Sequence, residues 1–315
     1  MMAEMEARDR IAVMGAGAVG CYFGGMLARA GLPVTLIARQ AHRDAIERDG
    51  LTIDSFRFAS PERVRVETAA GAEGVEGARV VLFCVKTVDT ETAARELAPH
   101  LAPEAVVVSM QNGVDNVERI RDASQIDTLG AAVYVAAEMT APGVVKHSGR
   151  GDLIVGRFSG SSARTETVEA CFALAGIPCK TAEDIRAPLW TKMFMNCAYN
   201  AISALGQARY GKMAARADIR EVMRQAVEEA ESVARADGVP LPEQDFVDAA
   251  WKLADSMSNA LSSTAQDIGR GKKTEIDSLN GYVARRGAAH GIATPVNQTL
   301  CALVKLLEDA AAATL

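Results

Sequence analysis

Near its start the chain runs from Arg10-Ile11-Ala12-Val13 straight into Met14-Gly15-Ala16-Gly17-Ala18-Val19-Gly20. An apolar run that turns into a helix through G-x-G-x-x-G constrains what can follow, because it is the fingerprint of a dinucleotide-binding βαβ unit. Gly15 permits the tight turn, Gly17 lets backbone approach a pyrophosphate, and Gly20 lets helix and strand pack closely. Ala16, Ala18 and Val19 complete the loop. The helix that follows offers its N–H groups and positive dipole end to phosphate. Cys21 to Ala30 continues it with an apolar face, Gly31 ends it, and Pro33-Val34-Thr35-Leu36-Ile37-Ala38 reads as a second strand.

The end of that second strand selects the nucleotide. Chains that bind NAD place an acid there, about 20 residues on, to hold the ribose 2′-hydroxyl. This chain has Arg39-Gln40, and its next acid is Asp44. The planar fork of an arginine fits a 2′-phosphate, so NADPH is favoured over NADH, against the plainer reading of Arg39 as a surface charge.

At 315 residues the chain exceeds one comfortable core, and two domains are expected. A formal net charge of −6 and a mean hydropathy of +0.05 suit a soluble protein and argue against nucleic acid as a partner. No apolar run approaches the roughly 20 residues that cross a bilayer, which argues against a membrane, and the charged stretch Met1–Asp9 lacks a signal core. A frayed tail and a cytoplasmic location are expected. The six cysteines (Cys21, Cys84, Cys171, Cys179, Cys197, Cys301) form no C-x-x-C pair and read as reduced core thiols. The four histidines (His42, His100, His147, His290) lack ligand spacing, so they read as solvated or structural, with no metal.

Strand and helix signals alternate through the first half. Arg79–Lys86 is a continuous β-type run suited to a strand buried on both faces. A helix over Asp89–Leu101 and a strand over Ala105–Ser109 follow. Thr128–Ala136 and Val144–Arg157 read as strands joined at Pro142-Gly143, then a helix over Glu166–Ala175 and a short strand over Pro178–Thr181. Beyond that the pattern is helical: Ile185–Ser203, Ala217–Asp237, Glu243–Leu253, Thr274–His290 and Pro295–Ala311. The expected architecture is an α/β Rossmann-type dinucleotide-binding domain over 1–182, followed by an all-α substrate domain over 183–315.

In the first of those long helices Lys192, Asn196 and Asn200 recur at helical spacing amid Trp190, Met193, Phe194, Met195, Cys197 and Tyr199. At about 100° per residue they form one narrow polar stripe. An ammonium and two amides in an apolar helix need partners, either a polar ligand or a network between helices. Ser262-Ser263-Thr264-Ala265-Gln266-Asp267 and Lys273-Thr274-Glu275-Ile276-Asp277, taken alone, suggest helix caps and dipole chemistry.

Together these tracts are specific. With Val85-Lys86 and Gln111-Asn112-Gly113, the chain resembles the ketopantoate reductases from end to end. That resemblance implies NADPH-dependent reduction of 2-dehydropantoate to (R)-pantoate, in the route to pantothenate and coenzyme A. It assigns Lys192 as the catalytic lysine and Glu275 as its supporting carboxylate. Asn112 would lie beside nicotinamide and substrate, and Asn196, Asn200 and Ser263 would bind substrate. Arg39 would meet the 2′-phosphate, and Lys86 the cofactor. A protonated lysine suits the chemistry, since reducing a ketone develops an alkoxide that needs a proton. Two other readings are a reductase of a different 2-oxo acid, for which Thr191, Met193–Met195 and Thr264-Ala265 leave room, and a non-catalytic NADPH-binding regulator. Monomer and homodimer are both compatible with the sequence.

Overall fold

The computed structural model describes residues 9–158 and 161–312; the expected amino-terminal tail falls, but for Asp9, outside them. The chain forms two compact units, one of residues 1–111 and 115–185, the other of residues 112–114 and 186–315.

The first unit begins as its sequence requires. β1 (Ile11–Met14) leads into α1 (Ala18–Arg29), then β2 (Val34–Ile37) and α2 (Gln40–Asp49). Three short strands follow, β3 (Leu51–Ser55), β4 (Glu62–Val64) and β5 (Glu67–Ala69). The alternation resumes with β6 (Val80–Phe83), α3 (Thr90–Leu97), β7 (Val106–Ser109) and α4 (Asn116–Ser124). The long pair β8 (Thr128–Ala141) and β9 (Val144–Gly156), then α5 (Thr165–Leu174) and β10 (Cys179–Ala182), complete it. The strands form one mixed sheet in the order β4-β3-β9-β8-β7-β6-β1-β2-β5, with β10 also on β9. β5, β2, β1, β6, β7 and β8 run parallel, whereas β8 with β9 and β3 with β4 are antiparallel.

Alternate residues of β1 enter different cores. Ile11 and Val13 join one hydrophobic cluster, Ala12 and Met14 the other. A strand covered on both faces must be apolar throughout, and each buried Ile, Val or Leu is worth about 1.5–3 kcal/mol. This is why Arg79–Lys86 reads so plainly. β3, β4 and β5 carry half-exposed polar residues and give no such signal.

The second unit is helical: α6 (Arg186–Gly206), α7 (Tyr210–Ala214), α8 (Ala217–Ala236), α9 (Phe246–Ser256), α10 (Ser263–Gly269), α11 (Asn280–Ala289) and α12 (Pro295–Ala312). Its core is aromatic around α6, where Phe194 meets Phe246 edge-on at 4.7 Å and the Tyr199 hydroxyl donates to the Ala250 carbonyl at 2.7 Å. Two expected helices are corrected. α9 begins at Phe246 instead of Glu243, because Asp245 caps it by accepting from the Asp248 N–H at 2.8 Å. The expected helix over Thr274–His290 is broken: Thr274 Oγ1 accepts from the Ile276 N–H at 3.2 Å, a local bond that competes with helix. Only a 3₁₀ turn, Ile276–Ser278, forms before α11.

His147 is buried, with Nδ1 2.9 Å from Ser55 Oγ and Nε2 3.0 Å from the Arg150 carbonyl; burial pushes its pKa below the ordinary value. His42 accepts from the Gly143 N–H at 3.2 Å. Burial likewise raises the thiols of Cys21 and Cys171 to about 12, so both stay protonated packing groups. Among the described residues no cluster of His, Cys, Asp or Glu is placed to hold a metal, and no helix is long and apolar enough to cross a membrane.

The turn between β1 and α1 is the tightest backbone approach at the fingerprint. A Cβ on Gly20 would fall against the Gly15 carbonyl oxygen and 2.8 Å from Val13 Cγ1, whereas one on Gly17 would meet no protein atom within 4 Å. Gly20→Ala should therefore cost about 1–3 kcal/mol by overpacking, and Gly17→Ala should stay within about 0.5 kcal/mol of native. Urea denaturation of the two variants checks the contrast, and equal losses would contradict it.

Candidate active site

The fingerprint loop is built by backbone geometry. Gly15 sits at φ +106, and a Cβ there would lie 2.9 Å from Cys84 C and Val85 N. Ala16 is buried and donates its N–H to the Ile37 carbonyl at 3.1 Å, which ties the loop to the end of β2. Ala18 and Val19 open α1, half-buried, while Gly17 is exposed. Gly17 needs no glycine on account of its protein neighbours, since nothing lies where its Cβ would go. A backbone kept bare towards open space fits the approach of a phosphate.

Arg39 is the N-cap residue of α2, directly beyond β2. It is exposed, and no hydrogen bond or ion pair engages its guanidinium among the described residues. Lys86 is exposed at the end of β6 and opens the 3₁₀ turn Thr87–Asp89. Beside it lies a buried polar network that sequence reading missed. Gln111 Nε2 donates to the Val85 carbonyl at 3.1 Å and to Thr90 Oγ1 at 2.8 Å, and Ser109 Oγ donates to Gln111 Oε1 at 3.0 Å. The signal available was Ser109-x-Gln111 at the end of an apolar strand.

Three of the singled-out residues meet in the helical unit. Lys192 Nζ donates to Asn112 Oδ1 at 2.8 Å, and Asn112 Nδ2 donates to Glu275 Oε2 at 3.3 Å. One amide thus accepts from the ammonium and donates to the carboxylate. Asn112 comes from the turn beyond β7, next to Gly113 at φ +105, a left-handed conformation that favours glycine. Glu275 is presented by the break before α11. In that motif the residues alternate: Thr274 and Ile276 are buried, Glu275 faces Asn112, and Asp277 is engaged elsewhere by Lys305 Nζ at 3.0 Å.

Asn196 lies one helical turn beyond Lys192 and is half-buried; Asn200, a turn further, is 3% exposed. Neither side chain makes a hydrogen bond among the described residues. The Asn200 carbonyl does accept, from Ser262 Oγ at 3.2 Å, and Ser262 Oγ in turn accepts from the Ala265 N–H at 3.1 Å as the cap of α10. Ser263 is the first residue of α10, exposed and joined to none of the other polar groups by a hydrogen bond. Cys197, on the same helix, is buried and its thiol is pushed far above the ordinary range by that burial, which makes it packing and not a nucleophile.

The coupling through Asn112 is measurable. In a double-mutant cycle of Lys192→Met and Asn112→Ala, the stability losses should be non-additive by about 0.5–3 kcal/mol, as for partners in one hydrogen-bonded network. Urea unfolding of the four proteins gives the number, and additivity would mean that the amide does not hold the ammonium.

Comparison with known proteins supplies the family. Residues 11–160 match the model of ketopantoate reductase PanE/ApbA, and residues 184–308 match that of its C-terminal part. A 2-dehydropantoate 2-reductase of Halobacterium salinarum is 34% identical over 307 residues, covering 95% of this chain and 99% of the relative. A PanE/ApbA family ketopantoate reductase from Ralstonia eutropha JMP134 superposes with a TM-score of 0.88 at 47% identity, over 96% of this chain and 99% of the other. A D-mandelate dehydrogenase solved with NADH and anilino(oxo)acetate also reaches 0.88, at 22% identity and coverage of 96% and 99%, a likeness of fold alone. The chain belongs to the ketopantoate reductase family of dinucleotide-dependent oxidoreductases.

Proposed function

We propose that the chain reduces 2-dehydropantoate to (R)-pantoate with NADPH, in the cytoplasm, as a step towards pantothenate and coenzyme A. The observation that carries this reading is the polar face of α6. Asn196 and Asn200 hold amides that make no hydrogen bond among the described residues, on the same stripe as Lys192, whose ammonium donates to Asn112. Asn196 is half-buried and Asn200 is 3% exposed; amides so largely withdrawn from bulk water gain from a polar partner, and a small polar acid would be one. This favours a ligand over a network between helices.

For the cofactor, Gly15, Ala16, Gly17, Ala18, Val19 and Gly20 would hold the pyrophosphate at the start of α1, with Lys86 on the cofactor side and Arg39 on the 2′-phosphate. The bare Gly17 and an Arg39 guanidinium that makes no hydrogen bond or ion pair among the described residues fit that group. When bound, NADPH supplies the hydride that reduces the ketone carbon.

The protein itself manages charge and protons. Lysine as a side-chain type has a reference pKa of about 10.4, which suits a proton donor at neutral pH. An ammonium has three N–H donors, and one of those on Lys192 serves Asn112. Its positive charge stabilises negative charge growing on the ketone oxygen, and Nζ then delivers the proton as general acid. Glu275 balances that charge through Asn112 and stands ready to accept from a substrate hydroxyl or a cofactor group. Asn196, Asn200 and Ser263 orient the carboxylate end of the 2-oxo acid.

Lys192→Ala should lower kcat by about two to four orders of magnitude, the reach of general acid catalysis, while NADPH still binds. Near-native turnover would remove Lys192 from that role. The substrate itself is tested by a panel of 2-oxo acids. A site that pairs a hydroxyl discriminates against an analogue lacking it, so 3-methyl-2-oxobutanoate should show a kcat/KM lower than 2-dehydropantoate by about tenfold or more. Equal efficiency, or none on 2-dehydropantoate, would shift the reading to another 2-oxo acid.

A further inference from the structure

The start of α2 carries a second arginine. Arg43 lies one helical turn beyond Arg39, and its N–H donates to the Arg39 carbonyl at 3.1 Å. Side chains of a helix lean towards its N-terminus, and Arg43 does so: its Nη2 donates to Gln40 Oε1. Arg43 thus carries its guanidinium at the start of α2, one turn after the N-cap residue Arg39, where the first turn contains no acid.

Neither arginine forms an ion pair among the described residues. The acids nearby are otherwise engaged. Asp44 accepts from Gln40 Nε2 at 2.6 Å, and Glu47 accepts from Thr68 Oγ1 at 2.5 Å. α2 also packs against the β8–β9 turn, where His42 accepts from the Gly143 N–H and Ala45 and Ile46 lie against Gly143. In this pose Arg43 Nε is buried without a hydrogen-bond partner, so the side chain is held mainly by one neutral amide. Two like charges a turn apart repel, and the positive helix end adds to them. A dianionic phosphate would relieve both the repulsion and the unpaired Nε.

We infer that Arg43 is a second cation for the 2′-phosphate of the nucleotide, closing on it from α2 opposite Arg39 and setting the preference for NADPH. This rests on the NADPH reading above. On binding, Arg43 releases Gln40 and turns its fork to the phosphate, so its contribution is confined to the nucleotide that carries one.

The test is direct binding, read from nicotinamide fluorescence on the full chain with NADPH and NADH. The native protein should bind NADPH at least about tenfold more tightly. Arg43→Gln should weaken NADPH by about five- to tenfold and leave NADH within about twofold, as loss of a charge-assisted contact requires. Should Arg43→Gln fail to fold, judged by circular dichroism, Arg43→Lys is read on the same contrast, with a loss on NADPH of about two- to threefold because the charge stays and the fork is gone. If Arg43 variants weaken both nucleotides equally, or neither, while Arg39→Ala still abolishes the preference, this inference is overturned and the NADPH reading stands. Equal affinity of the native protein for both nucleotides would overturn the two together.

Discussion

A half-buried ammonium is stabilised by an acceptor, and the polar trio of the helical unit is organised around that need at Lys192. The residues beside it on α6, Met193, Phe194 and Met195 among them, offer no oxygen to accept from it. One acceptor is Asn112 Oδ1, far away in sequence, on a turn that includes the left-handed Gly113. Because the amide has a donor end as well, it also donates to Glu275. That carboxylate is in reach because Thr274 interrupts the helix. A continuous helix would have carried Glu275 on a regular face; the break leaves it at the head of a 3₁₀ turn.

The first unit meets a different demand. Its fingerprint works through atoms that are missing: Gly20 lets α1 settle on the Gly15 carbonyl, and Gly17 leaves space unfilled. Where the helical unit positions charges by hydrogen bonds, the α/β unit positions backbone donors by the absence of side chains. The buried network of Gln111, Thr90 and Ser109 then fixes the loop ends where β6 and β7 finish, since a buried amide with bonded partners does not drift.

How much of this is readable in the sequence follows from burial. β1, β6 and β7 are covered on both faces, so their apolar runs announce them. β3, β4 and β5 are short with polar, half-exposed positions, and nothing in 40–78 declares itself by pattern. α7 and α10 are too brief for periodicity to speak. At the site, the spacing of Lys192, Asn196 and Asn200 is legible because helical geometry is regular. The bridge through Asn112 is not, because a hydrogen bond between residues 80 positions apart leaves no mark on local pattern; only resemblance to the family brings Asn112 forward, and without its bonding partners. Arg43 is invisible for a related reason, since Arg39-Gln40-Ala41-His42-Arg43 reads as an ordinary polar helix start until side-chain directions are known.

The three residues 112–114 belong with the helical unit although both their sequence neighbours belong with the other. A fragment beginning at Arg186 would own Lys192 and Glu275 but lack the amide that joins them. One ending at Ile185 would hold the amide and neither charge. The two units are thus not interchangeable cassettes: recombination at their boundary between distant homologues would have to preserve a match encoded on both sides of the crossover. During synthesis, Asn112 leaves the ribosome 163 residues ahead of Glu275, so a chain terminated between them carries the amide but never assembles the polar trio.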